Sequence, residues 1–97
     1  MKIIAIEKML KDVDANKDRQ LLMDEARTAW QLQQEGSIRE LYFHTEERKA
    51  VLIMEADSAQ AAKEALDRLP LVRGGYAEFE LIPLRAYDGF ARLFCPE

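Results

Sequence analysis

A chain of 97 residues, 48% of them hydrophobic, supports one domain around one core. Its formal charge of −4 arises from interspersed acids and bases, so it has no basic stripe to neutralise phosphates or anionic lipid, and nucleic acid and membrane surfaces are excluded as partners. Cys95 is the only cysteine, which excludes an internal disulfide and a thiolate cluster for zinc or iron–sulfur, and a reducing cytoplasm is the expected compartment.

The N-terminal Met-Lys-Ile-Ile-Ala-Ile is too short, and too soon interrupted by Glu7 and Lys8, to be a signal sequence, and Lys2 to Glu7 reads instead as a first strand. A polar loop, Lys11 to Asn16, follows. From about Lys17 to Glu35 strong helix formers dominate without a proline, and Gly36 supplies a left-handed stop. Leu22, Ala26, Ala29 and Gln33 share one stripe of this helix, with Leu21, Glu25 and Leu32 beside it. Glu25 therefore borders the buried face, while Trp30 points away from it.

Ser37 to Ala56 reads as a hairpin turning at Glu46 and Glu47, which sets His44 opposite Lys49. One face then carries Leu41, Phe43, Ala50, Leu52, Met54 and Ala56, with Arg39 at its end. The other carries Ile38, Glu40, Tyr42, His44, Val51, Ile53 and Glu55, a mixture suited to covering a partner or lining a small polar pocket. Asp57-Ser58 offers an N-cap for a helix through Ala59, Ala62, Ala65, Leu66 and Leu69, which Pro70 should end. The Arg73-Gly74-Gly75 turn leads to a last strand from Ala77 to Leu84, with Phe79 and Leu81 on one face and Glu78, Glu80 and Ile82 on the other.

The resulting order βαββαβ is an α+β, ferredoxin-like arrangement with a four-stranded antiparallel sheet, occupying residues 1–85. Residues 86–97 form an aromatic tail expected to pack on the domain or on a neighbouring subunit. Two helices cover only one face of four strands, so the mixed face with Tyr42, Val51, Ile53 and Ile82 should be buried by a second copy, giving a homodimer or a higher homo-oligomer.

These residues resemble the muconolactone isomerase family and its uncharacterised bacterial relatives, which form dimeric ferredoxin-like α/β barrels. The likeness rests on Glu25 with Ala29, Leu32-Gln33 and Gly36, on Arg39, Leu41 and Tyr42, and on Leu69-Pro70-Leu71 and Pro83-Leu84. Three departures stand out: Tyr42-Phe43 replaces a Trp-Arg pair, which removes a basic partner for a lactone carboxylate, the Arg73-Gly74-Gly75-Tyr76 connection is longer than the isomerases' turn, and the tail is closer to that of the uncharacterised relatives. The resemblance implies cofactor-free isomerisation of a small carbonyl or lactone compound, by a base that removes a proton beside a carbonyl and an acid that returns it elsewhere.

Glu25 is the candidate base, since desolvation beside an apolar stripe would raise its pKa; the alternative is a structural ion pair with Arg39. His44 and Tyr42 are candidate proton carrier and enolate donor, or else a solvated strand end and an interface aromatic. Arg39, Glu55 and Trp30 are candidate substrate-binding groups, Trp30 having a core-edge or oligomer contact as its other reading. The spacing of Glu55, Glu78 and Glu80 around His44 matches no metal-ligand motif, so neither a metal nor another cofactor is expected. A non-catalytic small-ligand-binding or assembly subunit, and a cofactor-independent oxygenase or cyclase, remain the alternatives on this scaffold.

Overall fold

The structure, a computed structural model, describes residues 1–94. Strands β1 (Lys2–Met9), β2 (Ile38–Phe43), β3 (Ala50–Glu55) and β4 (Ala77–Pro83) form one sheet in the order β2-β3-β1-β4, with every neighbouring pair antiparallel. Helices α1 (Arg19–Gln34) and α2 (Ala59–Leu66), with the short α3 (Pro70–Arg73), complete the ferredoxin-like α+β domain expected from the sequence. The isoleucine-rich β1 is central. It alternates Ile3, Ala5 and Glu7 toward the helices with Ile4 and Ile6 toward the open side, so its apolar residues serve both faces.

Ile3, Ala5, Leu32, Ile38, Leu52, Met54, Ala62, Leu66 and Leu69 make the main core between sheet and helices. Both helix ends follow their sequence signals. Ser58 caps α2 by accepting from the Ala61 amide at 3.0 Å, and Gly36, at φ +90°, lets the chain leave α1 while Ser37 N donates to Leu32 O. Pro70 does not terminate α2, which ends at Leu66. It opens α3 instead, at the first helical position, where its missing N–H leaves no bond unmade.

The hairpin register is the expected one, with Leu41 opposite Leu52, Tyr42 opposite Val51 and His44 N donating to Lys49 O at 2.9 Å. Its far end departs from simple alternation. A bulge between Ile38 and Glu40 pairs Ile38 with Met54 and buries it completely, while Arg39 turns to solvent and its Nε donates to Gly36 O at 2.7 Å. One inserted residue reverses the face of everything beyond it, so the expectations that Ile38 faces outward and Arg39 ends the inner face are both corrected.

The other sheet face carries no helix. Ile4, Ile6, Val51 and Ile53 are half-buried there, and Tyr42 and Ile82 are exposed. Beyond β4 the chain leaves the domain, ending in a single helical turn α4 (Ala91–Phe94), with Tyr87, Phe90, Leu93 and Phe94 between 67% and 80% exposed. Within the tail, Tyr87 meets Phe90 edge-on at 5.0 Å between ring centroids and Arg85 pairs with Asp88 at 3.4 Å. This projection gives the molecule dimensions of 62 × 28 × 19 Å and a radius of gyration of 16.3 Å; about 12–13 Å is usual for a compact chain of this length. Residues 95–97, with Cys95, lie outside the described residues. Among the described residues no helix is long and apolar enough to cross a membrane.

Candidate functional site

Toward the hairpin turn, α1 fails to fill the space above the sheet. The residues it presents there are Leu22, Glu25, Ala26 and Ala29, two of them with only a methyl side chain. A cavity of about 620 Å³ remains, walled by Leu41, Phe43, Leu52, Leu69, Leu71 and Phe79. The hairpin turn, from His44 to Arg48, forms its mouth. Phe43 is 82% exposed although it stands on the helix side of the sheet, so the wall along β2 is open.

Two carboxylates enter this largely apolar space. Glu25 reaches from α1 to α3, where its Oε1 accepts from the Leu71 amide at 2.9 Å. That amide is a free donor because Leu69, the residue before Pro70, offers no side-chain cap. Glu7 reaches from β1, and its Oε1 accepts from the Ala50 amide at 2.9 Å, just past the last β1–β3 pair, Ile6 with Val51. Neither Oε2 has a protein partner among the described residues, and no buried side-chain oxygen or nitrogen there is left unsatisfied. Both free oxygens are therefore accessible, and both residues line the cavity; Glu7 also borders a second cleft, beside Lys8, Lys49 and Glu80.

Burial pushes the Glu25 carboxyl above the ordinary glutamate range, against the Leu71 amide that pulls it down, and the nearby charge of Glu7 pushes it further up. Burial raises Glu7 likewise, with the Ala50 amide opposing. Desolvation wins over one hydrogen bond in each case. His44 stands at the mouth, its Nδ1 accepting from the amides of Glu46 at 3.0 Å and Glu47 at 2.9 Å. The neutral ring accordingly carries its proton on Nε2, 3.6 Å from a Glu47 carboxylate oxygen.

Of the residues singled out in the sequence, the cavity joins Glu25 and His44. The ion pair offered as the structural role of Glu25 is not formed: its partner is a backbone amide, and the bulge has carried Arg39 away to Gly36 O. Tyr42 is on the opposite face, donating to Glu40 Oε1 at 2.5 Å, which raises its pKa. It does not share the site with His44, because the chain leaves strand geometry at His44 and curls over the cavity. Glu55, also on the outer face, accepts from the Met1 amino group at 2.5 Å, a contact that holds it below the ordinary carboxylate range. Trp30, 61% exposed on α1, lines neither the cavity nor the core. Among the described residues no group of three or more His, Cys, Asp or Glu side chains could hold a metal ion.

Sequence reasoning missed Glu7 as a site residue. Its signal was a charge that continues the alternate series Ile3, Ala5 on the core-facing side of a strand, where a carboxylate is expensive unless it is bonded or used.

The family model for muconolactone delta-isomerase matches residues 4–89. No curated protein matches the chain in sequence. Among solved structures, that of muconolactone isomerase at 3.3 Å resolution is 28% identical and superposes with a TM-score of 0.74, over 91% of this chain and 92% of the other. The 5-chloro-2-hydroxyhydroquinone dehydrochlorinase from Burkholderia phenoliruptrix AC1100, in complex with 2,5-dihydroxybenzoquinone, shares the fold at 13% identity. Its TM-score is 0.60, over 90% and 97% of the two chains.

Proposed function

The chain belongs to the muconolactone delta-isomerase family, and we propose that it moves a proton within a small carbonyl or lactone compound, without a cofactor, using the Glu25 carboxylate as base. The observation that carries this reading is the state of that carboxylate. One oxygen is tied to the Leu71 amide, which fixes the group in place, while the other is free in a cavity of a size suited to a small ligand. Burial brings its pKa up toward the range where a base works well near neutrality. Muconolactone isomerase, the 28% identical relative, is by its name an isomerase of a lactone.

Exchange of the α-hydrogens of α-angelica lactone, a neutral β,γ-unsaturated lactone, can be followed by proton NMR in D2O. Wild-type protein should accelerate exchange and isomerisation to the conjugated lactone, and Glu25→Gln should lose about 10²-fold or more of both. Glutamine keeps an oxygen for the Leu71 amide, so the fold should survive. A wild-type protein that binds the lactone without exchanging it would favour a ligand-binding subunit.

The working unit in this proposal is a homo-oligomer. The uncovered face presents Ile4, Ile6, Val51, Ile53 and Ile82 around Tyr42, and the tail holds four large apolar side chains away from its own domain. A second copy meets both needs, the faces packing together and the tail lying on the neighbour. Ile53→Lys should shift sedimentation toward the monomer, whereas a wild-type protein that is monomeric at micromolar concentration would sink this part of the reading.

A further inference from the structure

We propose that Glu7 and Glu25 act as a pair sharing one proton, and that the ligand they serve is an uncharged enolisable carbonyl compound. The inference rests on the proton-transfer reading of the site and adds to it a second proton carrier and a ligand charge. Moving a double bond along a carbonyl system takes a proton from one carbon and returns one to another, two positions away. A single carboxylate must travel between those carbons, whereas two carboxyl groups on different walls reach them separately. Glu25 stands on the helix and Glu7 on the sheet, each tied through Oε1 to a different backbone amide, and both line the same cavity with Oε2 free of any protein partner among the described residues.

A pair that holds one proton has two microstates, and the productive one has Glu25 ionised and Glu7 neutral, reached by transfer of the proton that the charge of Glu7 otherwise draws to Glu25. The Glu25 carboxylate takes the α-hydrogen, forming its O–H bond as the C–H bond breaks, and the electron pair moves into the dienolate. The Glu7 carboxyl then gives its proton to the γ-carbon, so that the C–H bond forms as its O–H bond breaks and the carbonyl is restored. Glu25 ends protonated and Glu7 ionised, and exchange between the two groups or with water restores the start. Two carboxyls in a desolvated space resist double ionisation, which keeps one proton on the pair. The charge of Glu7 does raise Glu25, and burial raises both.

The same charges select the ligand. Glu46 and Glu47 stand at the mouth with His44, and Arg48 is the only arginine or lysine among the lining residues. An anion would approach carboxylates at the mouth and within the cavity, whereas a neutral lactone or ketone meets acceptors, a shared proton and apolar walls.

The test compares wild type, Glu7→Gln and Glu25→Gln on α-angelica lactone and on its carboxymethyl-substituted analogue, following α-deuterium incorporation and isomerisation separately. Glutamine keeps an acceptor for Ala50 N in Glu7→Gln, and circular dichroism checks the fold. Glu7→Gln should retain most α-exchange but lose about 10²-fold or more of isomerisation. The bell-shaped pH profile of wild type should lose its alkaline limb in Glu7→Gln, a change that a purely structural role would not produce. Wild type should also prefer the neutral lactone by at least about tenfold in kcat/KM.

If wild type isomerises the lactone and Glu7→Gln does so equally fast with an unchanged pH profile, the pair is overturned while Glu25 stands. Preference for the carboxymethyl lactone would overturn the ligand class and point to Arg48 as its partner. If wild type neither exchanges nor isomerises either compound, the proton-transfer reading fails and the pair fails with it.

Discussion

The layer between helices and sheet has two unlike ends, although the same elements build both. At one end Ile3, Leu32, Met54 and Leu66 are at most 2% exposed and share one cluster with Ala62, and every side chain is apolar. At the other, nearer the hairpin turn, β1 contributes Glu7 where it had contributed Ile3 and Ala5, and α1 contributes Ala26 and Glu25 where it will contribute Leu32. Replacing branched aliphatics by alanine and glutamate along two facing elements is enough to turn core into cavity. The fold is held by the first end, which leaves the second free to keep two half-desolvated carboxylates that cost stability.

This division predicts its largest consequence for matched truncations. Leu32→Ala opens a hole in the packed end and should lower the unfolding free energy by about 2–5 kcal/mol, because the surrounding side chains cannot collapse into the space. Leu22→Ala, on the same helix, removes a half-buried side chain that packs against Val13, Leu71 and Ala77 on one side but borders the cavity on the other, and should cost less, about 1–2 kcal/mol. Urea denaturation of the two variants measures the difference. Equal losses would mean that the cavity wall is as tightly supported as the core.

Much of this division was readable from the sequence. Hairpin register, Ser58 cap and Gly36 stop all followed from short-range rules, and they suffice for the order of elements and the covered face of the sheet. Glu25 at the border of the apolar stripe was legible for the same reason. The helix stripe was displaced: Leu22 and Ala29 are half-buried, but Ala26 and Gln33 are exposed and Leu32, expected beside the stripe, is the buried residue of α1. What was not legible depended on events outside local periodicity. The bulge at Arg39 reversed Ile38 and Arg39, and with them the expected ion pair. The residues after Tyr42 left strand geometry, so His44 parted from Tyr42 and joined the cavity. Glu7 was read as the charge that ends an apolar run, and its role depends on Ala50, 43 positions away in sequence, leaving an amide free at the end of a ladder.

A smaller effect separates the two jobs of Glu25, as tie between α1 and α3 and as candidate base. Glu25→Ala removes the acceptor of the Leu71 amide and should destabilise by about 1–2 kcal/mol, the usual cost of losing a helix N-terminal cap. Glu25→Gln preserves an acceptor and no longer buries an ionisable group, so its stability should stay within about 0.5 kcal/mol of wild type at neutral pH. Thermal unfolding of the two variants decides the matter. An equal loss in both would show that the negative charge, and not the hydrogen bond, holds α3 to α1.

The smallest predicted effect is a slope with pH. Glu7 and Glu25 both bind their protons more tightly in the folded chain than the 4.5 of an ordinary glutamate, with burial as the main cause. Between that value and their raised folded-state values the native state holds more protons than the unfolded state, so stability falls as pH rises through this window. The contribution is fully present below the ordinary glutamate value and is lost once both groups are ionised. Glu35 beside Arg68 and Glu47 beside Lys49 are shifted downward and act in the opposite sense, losing their stabilisation as the medium becomes acid. Those pairs are exposed and are weakened by about 0.5 M salt. Comparing wild type with Glu7→Gln at that salt cancels what the two proteins share. The variant should gain stability relative to wild type as pH is raised from about 4.5 to about 7.5, read as a rising difference in urea midpoint. A difference that stays level, or that falls with pH, would mean that Glu7 ionises inside the cavity as easily as it does in water, and the hollow end of the layer would then be a solvated cleft and not a desolvated site.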